Sequence, residues 1–175
     1  MKHNILLIGF MGVGKGTIAR AFSKEYGVYN IDTDDLIESK ENSKIIKIFK
    51  KHGEEYFRNL EQETANWLEK SVSGTLISCG GGFYKVKNLN KIGKVVYLEA
   101  SFDWIYNRLS TSKNAKAKLA KRPLFKDLKK AKALYKERKK AYSKVADLIV
   151  NVENKEDKEI LKEIAKFAKI KKQKA

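Results

Sequence analysis

Gly9-Phe-Met-Gly12-Val-Gly14-Lys15-Gly16-Thr17 follows the apolar run Ile5–Ile8 without a break. It completes the pattern G-x-x-x-x-G-K at a place where a strand would hand over to a helix. Glycines there let successive backbone N–H groups turn inward toward phosphate oxygens. The helix that follows adds its positive N-terminal end, and Lys15 is placed to reach the β and γ phosphates. An accidental glycine turn would not need four glycines and a lysine in this register. The stretch therefore predicts nucleoside triphosphate binding through Gly12, Val13, Gly14, Lys15, Gly16 and Thr17. One position departs from the pattern. The Ser or Thr that usually follows the lysine, and whose hydroxyl ligates Mg²⁺, is here Gly16, with Thr17 next. The metal would then rest on phosphate oxygens, water and carboxylates from elsewhere, a water-rich shell that Mg²⁺ accepts.

Other short apolar runs, Thr75–Cys79, Val95–Leu98 and Leu148–Val152, read as buried strands, and Val28–Ile31 adds a weaker fifth. Unbroken aliphatic runs of this length suit parallel strands covered on both faces. Longer stretches with helical spacing lie between them. In the last, Ile160, Leu161, Ile164, Phe167 and Ala168 fall on one stripe. This alternation predicts an α/β fold, a five-stranded parallel sheet with helices on both faces. No Ser/Gly linker divides the chain, so residues 1–175 are read as one domain. The rhythm breaks at 110–121, where small and charged residues dominate before Arg122 and the sole proline, Pro123. That segment reads as a lid, with Ser112–Ala120 able to form a short helix, leading into a long helix over about residues 126–145.

Hydrophobic residues make up 42% of the 175 and charged residues 34%, a balance that argues against disorder. No apolar run approaches the roughly 20 residues of a membrane span. A single cysteine, Cys79, excludes an internal disulfide framework and a cysteine-based zinc site. A cytoplasmic location is expected. The net charge of +17 raises a nucleic-acid partner, but 33 of the 38 basic residues are lysine and only Arg20, Arg58, Arg108, Arg122 and Arg138 are arginine. Nucleic-acid grip favours planar, bidentate arginine, so no nucleic-acid or membrane partner is expected. The few arginines mark places where a point charge will not serve in gripping carboxylate or phosphate. Residues 113–144 carry twelve Lys, two Arg, one Asp and one Glu, a net of +12. A lid so charged would draw in a polyanion such as a nucleotide, although exposed lysine helix faces account for it equally.

Asp32, Asp34 and Asp35 close the run Tyr29-Asn-Ile31, and ligands of open α/β sheets gather at the carboxyl ends of strands. Asp32 is the candidate to hold Mg²⁺ through water, with Thr17 as a second candidate. Asp34 is the candidate to orient an acceptor hydroxyl or take its proton. Asp35 is read as capping the helix that starts near Leu36. Asn154-Lys-Glu-Asp157 matches the guanine-reading N-K-x-D pattern, yet none of the eleven glycines has an aspartate three residues before it. The D-x-x-G switch of a GTPase is therefore missing, and 154–157 read as the start of the final helix with Asn154 as its N-cap.

Together, the loop Gly9–Thr17, Asp32-Thr-Asp34, Phe57-Arg58-x-x-Glu61, Gly80-Gly81-Gly82, Arg122-Pro123-Leu124 and Tyr135-x-x-Arg138-x-x-x-Tyr142 resemble the shikimate kinase family. These motifs stand in the family's order over residues 9–142. The resemblance implies a P-loop three-layer sandwich with strand order 2-3-1-4-5, a lid at about 110–125 and substrate-binding helices at about 34–62. It implies transfer of the ATP γ-phosphoryl group to the 3-hydroxyl of shikimate, with ATP and Mg²⁺ as cofactors, a small-molecule partner and a monomer. Asp34 would be the catalytic base, with Lys15 and Arg122 catalytic beside it. Arg58 and Arg138 would hold the carboxylate, and Gly80, Gly81 and Gly82 would offer backbone N–H close to the ring. Arg108 would lie along the adenine, helped by the loop at 151–154.

Gly-Lys-Gly-Thr keeps a nucleoside monophosphate kinase open as an alternative. A small-polyol kinase such as a gluconate kinase is a nearer one, and a P-loop protein binding RNA through its lysines is a third. The set Asp34, Arg58 and Arg138 favours the acid acceptor.

Overall fold

The computed structural model describes residues 3–120 and 122–172. Residues 1–2, 121 and 173–175, which fall within the expected domain and lid boundaries, lie outside the described residues. The elements in chain order are β1 (Asn4–Ile8), α1 (Lys15–Tyr26), β2 (Asn30–Asp32), α2 (Thr33–Lys40), α3 (Ile45–Ser71), β3 (Leu76–Ser78), α4 (Leu89–Ile92), β4 (Gly93–Glu99), α5 (Phe102–Ser110), α6 (Ala115–Ala120), α7 (Leu128–Val145), β5 (Leu148–Asn151) and α8 (Asp157–Ala168). Short 3₁₀ turns at Phe83–Lys85 and Pro123–Lys126 complete them.

All strand pairs are parallel, in the order β2-β3-β1-β4-β5. β1 is central, which is why all five of its residues are buried. Its one polar member is fully satisfied. Asn4 donates through Nδ2 to Val72 O at 2.8 Å and Ile92 O at 2.9 Å, and its Oδ1 accepts the Thr75 N–H at 3.1 Å. One side chain thus ties the chain before β3 and before β4 to the base of the central strand, as a buried amide requires.

The main core runs from the sheet into α1, α5, α7 and α8. A second, smaller cluster gathers Ile37, Ile48, Phe57 and Leu60, with Ile45 and Phe49 packed against it. It joins α2 to both arms of α3, which bends at Gly53 (φ 81°, ψ −178°), a conformation only glycine adopts without strain.

Two capping assignments differ from those expected. Asp32, not Asp35, caps α2: its Oδ1 accepts the Asp34 N–H at 3.0 Å. β2 runs directly into the helix, so the last strand residue is the one whose side chain can reach the first free N–H groups. At the other end of the chain, Glu156 caps α8 through a capping box with Glu159, while Asn154 takes a left-handed turn (φ 56°). Glu at the third helical position makes the reciprocal bond that Asn154 has no partner to make.

Candidate active site

The loop after β1 curls so that Val13 N–H meets Phe10 O at 3.2 Å and Gly14 caps α1 at φ 113°. The Lys15 ammonium folds back to Gly9 O at 2.8 Å and Phe10 O at 3.4 Å. Burial lowers its pKa to about 8, while the charges of Asp34 and Asp32 pull the other way. Gly12, Val13 and Gly14 form the turn, Gly16 is half-buried, and Thr17 is exposed in the first turn of α1.

β2 and β3 carry a second group to the same edge. Ser78 donates its hydroxyl to Asp32 Oδ2 at 2.8 Å, and Gly80 N–H donates to Thr33 Oγ1 at 2.8 Å. Asp32 is thereby fixed on both oxygens, one by Ser78 and one by the helix N-terminus. Asp34 is pushed up to about 7, first by burial and then by the charge of Asp32.

The glycine triplet shows why three glycines are needed in a row. A Cβ on Gly80 would collide with Asp34 Oδ1, one on Gly81 would stand 2.7 Å from an Arg138 guanidinium nitrogen, and one on Gly82 would collide with the Arg58 guanidinium. Three candidate side chains from α2, α3 and α7 thus converge on three consecutive residues without side chains. Tyr142, fully buried, donates to Gly81 O at 2.7 Å and holds the middle of the triplet from below.

Arg58 donates through Nε and one terminal nitrogen to Glu54 Oε1 (3.1 and 2.7 Å), and through the other to Glu61 Oε2 (2.5 Å). Glu54 is exposed, whereas Glu61 is buried and its pKa is raised by that burial despite the opposing pull of Arg58. Arg138 is also buried. Among the described residues, its Nε and Glu61 Oε1 are buried without a hydrogen-bond partner. An unmet buried guanidinium N–H and carboxylate oxygen are exceptions to the rule that buried polar groups are paired.

On the other side of the loop, Arg108 of α5 donates to Gly12 O at 3.2 Å and Val13 O at 3.0 Å. Arg122 lies at the start of the 3₁₀ turn, its pKa lowered by burial and then by the charge of Arg108. Every residue expected from the sequence therefore stands at the carboxyl edge of the sheet or on an element bordering it. The sequence reading missed Thr33 and Ser78, which brace Gly80 and Asp32 from inside the motifs. The visible signal was a hydroxyl residue between two aspartates and another at the last strand position before Cys79.

The sequence pattern that defines the shikimate kinase family matches residues 11–169. The chain belongs to the shikimate kinase family. Among relatives, it is 40% identical to the shikimate kinase of Helicobacter hepaticus over 149 residues, 85% of this chain and 86% of that one. Among solved structures, it resembles shikimate kinase from Aquifex aeolicus vf5 (35% identity, 95% and 96% of the two chains, TM-score 0.74). It also resembles shikimate kinase from Acinetobacter baumannii in complex with shikimate (28% identity, 96% and 93%, TM-score 0.73). Shikimate kinases are ATP-dependent phosphotransferases acting on an alcohol group, and the strand order expected from the resemblance is the one found.

Proposed function

We propose that this site transfers the ATP γ-phosphoryl group to the 3-hydroxyl of shikimate, with the residue roles that follow. The observation that carries the reading is the convergence of Asp34, Arg58 and Arg138 on Gly80, Gly81 and Gly82. One carboxylate and two guanidiniums around bare backbone suit a small ring bearing hydroxyls at one end and a carboxylate at the other. Arg138 offers to that carboxylate the terminal guanidinium nitrogen that lies against Gly81. Arg58 exchanges exposed Glu54 for it and keeps buried Glu61 as the brace that fixes its plane. Asp34 orients the acceptor hydroxyl and takes its proton, a task suited to a carboxylate whose pKa stands near 7.

On the donor side, Lys15 leaves the carbonyls of Gly9 and Phe10 for the β and γ phosphates. Gly12 to Thr17 supply the N–H cradle. Arg108 lies along the nucleotide base, and Arg122, carried by a lid at 110–125, meets the transferring phosphoryl group as the lid closes. The acceptor is gripped by the helices between 34 and 62. Catalysis is positioning and charge neutralisation, with water excluded from the closed site.

Mg²⁺ suits the residues present: Asp32 and Asp34 are hard oxygen donors, Asp34 being raised first by burial and then by the charge of Asp32, and Ser78 holds Asp32 in one orientation. Asp32 would hold the ion through water, with Thr17 as a further donor, because Gly16 has no side-chain oxygen to give. When bound, Mg²⁺ neutralises phosphate charge. The reading takes the chain, 1–175, as one domain acting as a monomer in the cytoplasm, with no nucleic-acid or membrane partner. Among the described residues no helix is long and apolar enough to cross a membrane.

The test is ADP release from ATP and Mg²⁺ with shikimate, gluconate, AMP or CMP offered in parallel. Release with shikimate alone is expected. Release with a nucleotide or with gluconate instead would overturn the acceptor assignment.

A further inference from the structure

Arg108 lies between two surfaces. One is the phosphate-binding loop, whose Gly12 and Val13 carbonyls accept from one of its terminal nitrogens. The other is Trp104, one helical turn earlier on the same face of α5, whose ring centroid lies 5.4 Å from the guanidinium carbon. Trp104 is half-buried and starts from a capped turn, its N–H donating to Ser101 Oγ at 3.3 Å. The loop makes room for this arrangement, because a Cβ at Gly14 would stand 2.7 Å from the Arg108 nitrogen.

We propose that Trp104 is a positioning residue for nucleotide recognition: its indole backs the Arg108 guanidinium, which presents its other face to the base of the bound nucleoside triphosphate. This rests on the reading of Arg108 as a nucleotide contact and adds the residue that orients it. A guanidinium is planar and stacks on aromatic faces, and indole is the strongest such partner. The choice of partner has a reason. Arg122 stands near enough for its positive charge to oppose that of Arg108, so Arg108 needs a counter-surface. A carboxylate would provide one but would repel the triphosphate. The indole face attracts the cation and adds no negative charge at the mouth of the loop.

The experiment uses the Trp67→Phe protein, in which Trp104 is the sole tryptophan, with ADP and inorganic tripolyphosphate as probes. ADP is expected to change Trp104 emission more than tripolyphosphate, which has no base. Trp104→Leu is expected to raise the ADP Kd and the ATP KM about 3- to 10-fold, with tripolyphosphate affinity, shikimate KM and kcat at saturating ATP held. Trp104→Phe should recover most of the ADP affinity. Unchanged ADP affinity in Trp104→Leu overturns the proposal while leaving the nucleotide site standing. Equal weakening of ADP and tripolyphosphate also overturns it, because that marks damage to the loop and not to the base contact. A parent protein that binds neither probe overturns the nucleotide-site reading itself, and this inference with it.

Discussion

On the proposed acceptor side, Arg58 and Arg138 rise from two long helices and press on the glycine triplet, with the buried Glu61 paired to Arg58. On the donor side, Arg108 and Arg122 flank the six-residue helix α6, and Arg108 is held by two carbonyls and one ring face. Of the proposed acceptor groups, Arg138 is buried and Arg58 is braced by buried Glu61, so both have few alternatives before anything binds, and the exposed Glu54 contact is the one that yields. On the proposed donor side Lys15 is built to change partners, since it spends its hydrogen bonds on loop carbonyls that the phosphates would replace, while Arg108 keeps its place against the loop. Damage on the donor side should therefore appear in turnover and nucleotide affinity, and damage on the acceptor side in shikimate affinity.

The largest effect expected from this contrast is Arg122→Ala, with kcat lower by about 10³-fold, the scale of a charge-stabilising arginine in phosphoryl transfer. Shikimate binding, read by equilibrium dialysis without nucleotide, should hold within about 2-fold if the two sides are as separate as their contacts suggest. A matching loss of shikimate binding would break the comparison.

Gly82→Ala comes next and acts on the other side. The new methyl occupies the place of the Arg58 guanidinium. Misplacing such a group by about 1 Å is worth on the order of 10²-fold, so shikimate KM should rise by about that factor while ATP KM moves little. Gly16→Ala is the control. Its methyl would meet only the tip of Arg20, at 3.3 Å, which can swing away. An equal penalty at both glycines would show that the triplet is not shaped around Arg58.

How much of this was legible beforehand follows from which forces are local. The loop was readable because its glycines and lysine are consecutive, and the strands because their apolar runs are unbroken. The arginines were readable because they are few. The partners of those groups were not. Thr33 holds Gly80, Ser78 holds Asp32, and Tyr142 holds Gly81 across 47, 46 and 61 residues of chain, and no periodicity encodes such a pairing. The two capping errors have the same origin. A sequence shows several capping residues near a helix start, and only the angle at which β2 enters α2, or the loop at Asn154 enters α8, selects one of them.

Asp34→Asn offers a smaller effect of opposite sign. In the folded protein its pKa is raised to about 7 from 3.8, first by burial. Such a group favours the fold while protonated, below about pH 4, and that stability is lost as pH rises through about 7. In metal-free buffer with chelator at pH 8, the asparagine protein should be more stable than the parent by about 2 kcal/mol, and the gap should close toward pH 4. Turnover should fall by at least about 10²-fold. A parent as stable as the variant at pH 8 would mean that the field at Asp34 is relieved by something other than ligands.

The smallest effect separates the two carboxylates that share Arg58. Glu54 is 64% exposed and Glu61 is 2% exposed, yet both lie within hydrogen-bond reach of the same guanidinium. Exposed ion pairs contribute about 0–1 kcal/mol, so Glu54→Gln should leave denaturant stability within that range. Its bond is also the one the substrate carboxylate would displace, so shikimate KM should stay the same or fall slightly. Glu61→Gln weakens a charge-assisted hydrogen bond made by a buried carboxylate, and it should cost on the order of 1–3 kcal/mol and raise shikimate KM. If instead Glu54→Gln raised shikimate KM as much as Glu61→Gln, the exposed carboxylate would be a fixed part of the acceptor site. The division between a group that braces Arg58 and a group that yields it would then fail.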